Sequence, residues 1–60
     1  MKRWKNCEVS RSEAPVLKDF LATNNIQFET CEAYNLIHFE VLADDLECEH
    51  INKFISDNFQ

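Results

Sequence analysis

Two runs of alternating residues, 26–32 (IQFETCE) and 36–42 (LIHFEVL), stand on either side of Tyr34-Asn35. Successive strand side chains point to opposite faces, so a slip of one residue moves a whole apolar set to the wrong face. A two-residue loop at Tyr34-Asn35 sets Phe28 against Val41, Thr30 against Phe39 and Glu32 against Ile37, and both apolar sets share one face. A slip of one sets Phe28 and Ile26 against Glu40 and Leu42 instead. Parity therefore predicts a hairpin of known register, even though Tyr-Asn is a weaker turn signal than Asn-Gly.

The remaining elements are read outward from this hairpin. Residues 4–10 (WKNCEVS) alternate loosely, with Cys7 and Val9 on one side and Trp4, Asn6 and Glu8 on the other, and predict a short strand. Residues 10–15 (SRSEAP) open a helix. Ser10 and Glu13 have capping-box spacing, but that start buries Pro15 too deep among the helix donors. With Ser12 as N-cap, Pro15 falls at the third helical position, where its missing N–H loses nothing. Val16, Leu17, Phe20 and Leu21 then recur at helical spacing, while Lys18 and Asp19 face out. Asn24-Asn25 ends the helix, because Asn tolerates the left-handed conformation. Asp44 and Glu47 have capping spacing for a second helix. Its first turns gather Asp44, Asp45, Glu47 and Glu49, favourable beside the positive end of the helix dipole. Cys48, Ile51, Phe54, Ile55 and Phe59 make its apolar stripe.

The order β-α-β-β-α implies a single α+β domain over residues 1–60. A right-handed crossover from the first strand lands the second parallel to it, and the hairpin returns antiparallel. If the crossover skips one position, the third strand fills the gap, and the sheet order is 1-3-2. The third strand is the most apolar, as a central strand should be. Both helices then cover one face, bearing Cys7, Val9, Ile26, Phe28, Thr30, Ile37, Phe39 and Val41. This architecture resembles a ferredoxin-like plait truncated before its last strand, a likeness that carries no function.

Charge narrows the partners. The chain has 6 Lys+Arg against 11 Asp+Glu, a formal net charge of −5. Residues 1–11 hold four bases (Lys2, Arg3, Lys5, Arg11) and one acid (Glu8), a net +3, while residues 12–60 hold two bases and ten acids, a net −8. An acidic body disfavours direct nucleic-acid binding, whose affinity comes largely from phosphate neutralisation, and disfavours an anionic membrane. There is no glycine, so phosphate-cradling loops of the Walker or dinucleotide type are excluded. No cofactor is implied. No apolar run approaches the roughly 20 residues that span a bilayer, and residues 1–5 lead into no apolar stretch of signal-peptide type. The expected location is the cytoplasm. Cys7, Cys31 and Cys48 are then reduced thiols, with Cys7 and Cys48 expected in the core.

The second sheet face bears Trp4, Asn6, Glu8, Gln27, Glu29, Cys31, Leu36, His38, Glu40 and Leu42, and no element remains to cover it. A partly apolar open face on so small a domain marks an interface. Domains of this size generally need disulfides, a metal or a second chain, and the first two are poorly supplied here. The expectation is a non-catalytic protein-interaction domain, self-associating as a homodimer, with Trp4, Asn6, Glu8, Cys31, Leu36, His38, Glu40 and Leu42 at the interface. A second reading is an acidic inhibitor that mimics nucleic acid toward a host protein, as small virus-encoded chains do, and acts in the host-cell cytoplasm. A third is a metal carrier or enzyme built on Cys31 and His38, which oppose each other in the hairpin. That pair lacks metal-ligand spacing and an evident orienting group, so no catalytic or metal residue is assigned.

Overall fold

The computed structural model describes residues 1–59. Its elements are β1 (Arg3–Ser10), α1 (Ala14–Thr23), β2 (Gln27–Ala33), β3 (Leu36–Ala43) and α2 (Asp45–Asn58). The sheet order is β1-β3-β2, with β3 antiparallel to both neighbours. This is the expected α+β arrangement. The hairpin register also matches: Phe28 pairs with Val41, Thr30 with Phe39 and Glu32 with Ile37.

Alternation along β3 generates the core. Ile37, Phe39, Val41 and Ala43 are buried and point to the helices, and Val9 joins them from β1. Leu17 and Leu21 of α1 and Ile51 of α2 close over them, with Ala14 and Ile26. Phe39, Leu17 and Leu21 are the largest fully buried side chains. Three ring contacts knit the periphery. Phe20 stacks on Phe54 with centroids 4.1 Å apart, which joins α1 to α2. Phe54 meets Phe59 edge-on, and Phe28 leans on Phe39. No polar or charged side chain is buried among the described residues.

Four sequence expectations change. The N-cap of α1 is Glu13, not Ser12, and Pro15 sits one position earlier than expected. The Ser10/Glu13 spacing does pair, but around the turn that precedes the helix. Ser10 N–H donates to Glu13 Oε1, and Glu13 N–H donates to the Ser10 carbonyl, both at 3.1 Å. Ser12 meets the Ser10 hydroxyl instead of capping. The inward stripe of α1 is Ala14, Leu17 and Leu21, so Val16 is exposed and Phe20 only half-buried. Thr30 lies on the helix side of β2 but beyond helix cover, and is exposed. Cys7 and Cys48 are half-covered rather than buried. The second helix starts as expected. Glu47 N–H donates to Asp44 Oδ1 at 2.8 Å, and Asp44 N–H donates to Glu47 Oε1 at 3.0 Å, a complete capping box.

Two turns use positive φ without glycine. Asn25 (φ 58°) ends α1, as an asparagine can, and Tyr34 (φ 56°) opens the hairpin loop. A tyrosine in this region loses about 1–2 kcal/mol to the clash of Cβ with the backbone. The Arg11 guanidinium steadies the tip. It donates to the Tyr34 carbonyl from Nη2 at 2.9 Å and from Nε at 3.3 Å, and from Nη1 to Glu32 Oε1 at 2.8 Å.

Two stability measurements check this reading. Phe39→Ala removes the largest fully buried side chain, and should destabilise by roughly 3–5 kcal/mol in urea unfolding. A variant that unfolds like the parent would show that the core lies elsewhere. Tyr34→Asn should raise the urea midpoint by about 0.5–1 kcal/mol equivalent with the slope unchanged, because Tyr34 packs on nothing and Asn accepts the positive φ. A lower midpoint would mean that the tyrosine ring holds the loop.

Candidate functional site

The open sheet face is the surface that the helices leave bare, and both strand registers now resolve it into rows. Trp4, Leu42 and Gln27 form the row at one end. Asn6, Glu40 and Glu29 form the next, and Glu8, His38 and Cys31 the third. Ser10, Leu36 and Ala33 close the other end. Every one of the eight residues expected at an interface therefore lies on this face. The structure divides them, however, into two apolar ends and a polar belt. Trp4 (47% exposed) stands beside half-buried Leu42, whereas Leu36 (42% exposed) lies six residues along β3 from Leu42. At about 3.4 Å per residue that is roughly 20 Å. The face is thus not one continuous apolar patch.

The belt carries the charge. Glu29 and Glu40 are direct cross-strand partners, both exposed. Like charges directly opposite destabilise a sheet by a few tenths of a kcal/mol or more. Trp4 flanks the same two carboxylates in a shallow cleft of about 90 Å³. A cationic side chain entering there meets two acids and an aromatic face.

The third row joins Cys31, His38 and Glu8 across three strands. The hairpin register places the first two together, as expected. Glu8 comes from β1, whose pairing with β3 is set by no tight turn, and so its place beside His38 had no sequence signal. A Glu8 carboxylate oxygen lies 3.7 Å from His38 Nδ1, too far for a hydrogen bond. The Cys31 thiol turns along its own strand, with Sγ 3.8 Å from the Glu32 carbonyl, rather than across to the imidazole. Nucleophilic chemistry needs a thiol–base contact and a place for the reacting group. The row supplies the residue types without that contact. Among the described residues, no group of three or more His, Cys, Asp or Glu side chains is placed to hold a metal ion.

An open groove of about 240 Å³ runs between β1 and α2 on the other side of the sheet. Its apolar lining is Cys7, Val41, Cys48 and Ile51, with Lys5, Asn6 and Asn52 at the rim. Cys7 is half-desolvated here, and burial pushes its thiol pKa up, because the thiolate loses its water shell. All three cysteines are free.

No family model matches this chain, and neither a curated protein nor a solved structure matches it. Neither described helix is long and apolar enough to cross a membrane.

Thiol labelling reads this geometry directly. At neutral pH, Cys31 should react first and Cys7 slowest, since burial holds the Cys7 thiol protonated and the thiolate is the reactive form. All three should label alike in urea. Because the folded Cys7 pKa is raised, stability should be full below the ordinary thiol pKa and decline as pH rises through it, where the unfolded chain ionises first. Fast native labelling of Cys7 with Cys31 protected would invert the face assignment.

Proposed function

We propose that this chain is a non-catalytic protein-interaction domain that self-associates and works in the cytoplasm. The observation that supports the reading most is the bare sheet face with Trp4 half-exposed beside Leu42, on the side of the sheet opposite the helix-covered core. Tryptophan is enriched among residues that dominate binding energy. Its position at an end of the sheet, next to the unpaired side of β1, makes it available to a second chain. The three free thiols accord with a reducing, intracellular setting.

A second reading, the acidic mimic of nucleic acid, draws on the belt. Glu29 and Glu40 stand opposed and exposed, and Asp45 and Glu49 are exposed at the start of α2. Asp44 and Glu47 contribute less, because their carboxylates are committed to the capping box. In this reading the partner is a basic nucleic-acid-binding protein, and attraction comes from charge pairs.

Sedimentation equilibrium at micromolar concentration, repeated across ionic strength, separates the two. Self-association should give a dimer with Trp4 emission shifted to the blue, weakening under Trp4→Ala and changing little between low and high salt. A monomer with the emission of a solvent-exposed indole would overturn self-association. Binding of a basic partner that falls steeply with salt would favour mimicry.

A further inference from the structure

Resting on the reading of this chain as the acidic partner of a basic protein, we propose that the cleft of Trp4, Glu29 and Glu40 receives one arginine side chain of that partner. Self-association is not needed for it. Glu29 and Glu40 are directly paired across β2 and β3, and both are exposed. Among the described residues neither carboxylate has a hydrogen-bond or ion-pair partner. The pair therefore repels itself in the unbound chain, and a cation seated between the two removes that repulsion as it binds.

The chain itself supplies no such cation. None of its six Lys and Arg residues is in the four rows of the open face. Strand alternation turns Arg3 and Lys5 to the helix side of β1, opposite Ala43 and Val41 of the core. Lys2 pairs with Glu47 of α2, and Arg11 is held at the hairpin tip by Glu32 and Tyr34. Lys18 and Lys53 stand exposed on the two helices. The open face, by contrast, bears Glu8, Glu29 and Glu40. Its charge is complementary to a foreign cation.

Trp4 selects arginine among cations. Its ring, 47% exposed, lies on β1 diagonal to Glu40 and adds an aromatic wall to the two carboxylates. A guanidinium is flat, stacks on an aromatic face, and carries five N–H donors in a rigid fork that matches carboxylate oxygens. One side of the fork bonds Glu29 and another bonds Glu40, while its plane lies against the indole. A lysine ammonium is a strongly hydrated point charge, and an open cleft of about 90 Å³ leaves that water in place. A quaternary ammonium has no N–H for either glutamate, and a single ring is not the aromatic cage that such groups require. Half-buried Leu42, beside Trp4, offers an apolar rest for the methylene stem of the arginine.

The probe is dye-labelled tetra-arginine amide, followed by fluorescence anisotropy at low salt, with tetra-lysine and tetra-citrulline peptides beside it. Tetra-arginine should bind about threefold or more tighter than tetra-lysine, and tetra-citrulline should not bind. Unlabelled tetra-arginine should shift the emission of Trp4, the sole tryptophan. The Glu29→Gln/Glu40→Gln variant should lose about tenfold in affinity. It should melt no lower than the parent, because two opposed charges are gone, so lost binding is distinguished from lost folding. Trp4→Leu should remove the preference for arginine over lysine and keep the charge-driven binding of both. Asp45→Asn/Glu49→Gln removes the same charge from the start of α2 and should lose less. Equal losses in the two double variants, or equal affinity for the arginine and lysine peptides, would overturn the cleft and leave attraction to a basic partner standing. No binding of tetra-arginine would overturn both. A parent dimer that Glu29→Gln/Glu40→Gln dissociates would mean that a base of the second copy fills the cleft, and would overturn the foreign partner.

Discussion

The rest of the structure depends on β3 being paired along both sides while burying alternate residues. Each of its eight residues has a partner on β1, and seven have one on β2. Its main-chain donors and acceptors therefore need no water, and the strand can sit in the middle of the molecule. Ile37, Phe39, Val41 and Ala43 then point one way and are buried. Both helices gain their stability by covering that row, through Leu17 and Leu21 on one side and Ile51 on the other. Neither helix alone covers it, which is why the Phe20–Phe54 stack between them matters. It joins the two helices side to side over the same core.

The hairpin was legible in the sequence because a two-residue loop leaves only a choice of parity, and apolar parity decides that choice. Topology followed from the crossover rule. The β1 register was not legible. Between Ser10 and its partner Leu36 lie a helix and a strand, so no turn geometry relates the two. For that reason Cys31 opposite His38 could be read from the hairpin, and Glu8 opposite His38 could not. The start of α1 was misplaced for a different reason. Ser12 is a better N-cap by chemistry than Glu13, but the Ser10–Glu13 main-chain and side-chain bonds make a turn that delays the helix. The face that α1 turns to the core is centred on Ala14, Leu17 and Leu21, so that a small residue faces in while a larger apolar one, Val16, faces out.

The open face shows the same limit at the level of a surface. Sorting residues by parity assigned all of its members. It could not show that the apolar ones gather at the two ends, because distance along a strand and across strands enters only with both registers in hand. The polar belt between them explains why this face can remain in water.

One small feature has mechanical meaning. β1 and β2 are not neighbours, so no ladder of main-chain bonds holds one outer strand to the other. Arg11, just past the end of β1, reaches across the start of β3 to Tyr34 and Glu32 at the end of β2. It acts as a strap over one end of the sheet. Among the described residues the other end has no equivalent: there Lys2 pairs with Glu47 of α2 at 3.5 Å, which ties the strand to a helix and not to the far strand. The two outer strands are therefore cross-tied at the hairpin end of the sheet by side-chain bonds alone, while at the end that carries Trp4 the described tie runs from strand to helix.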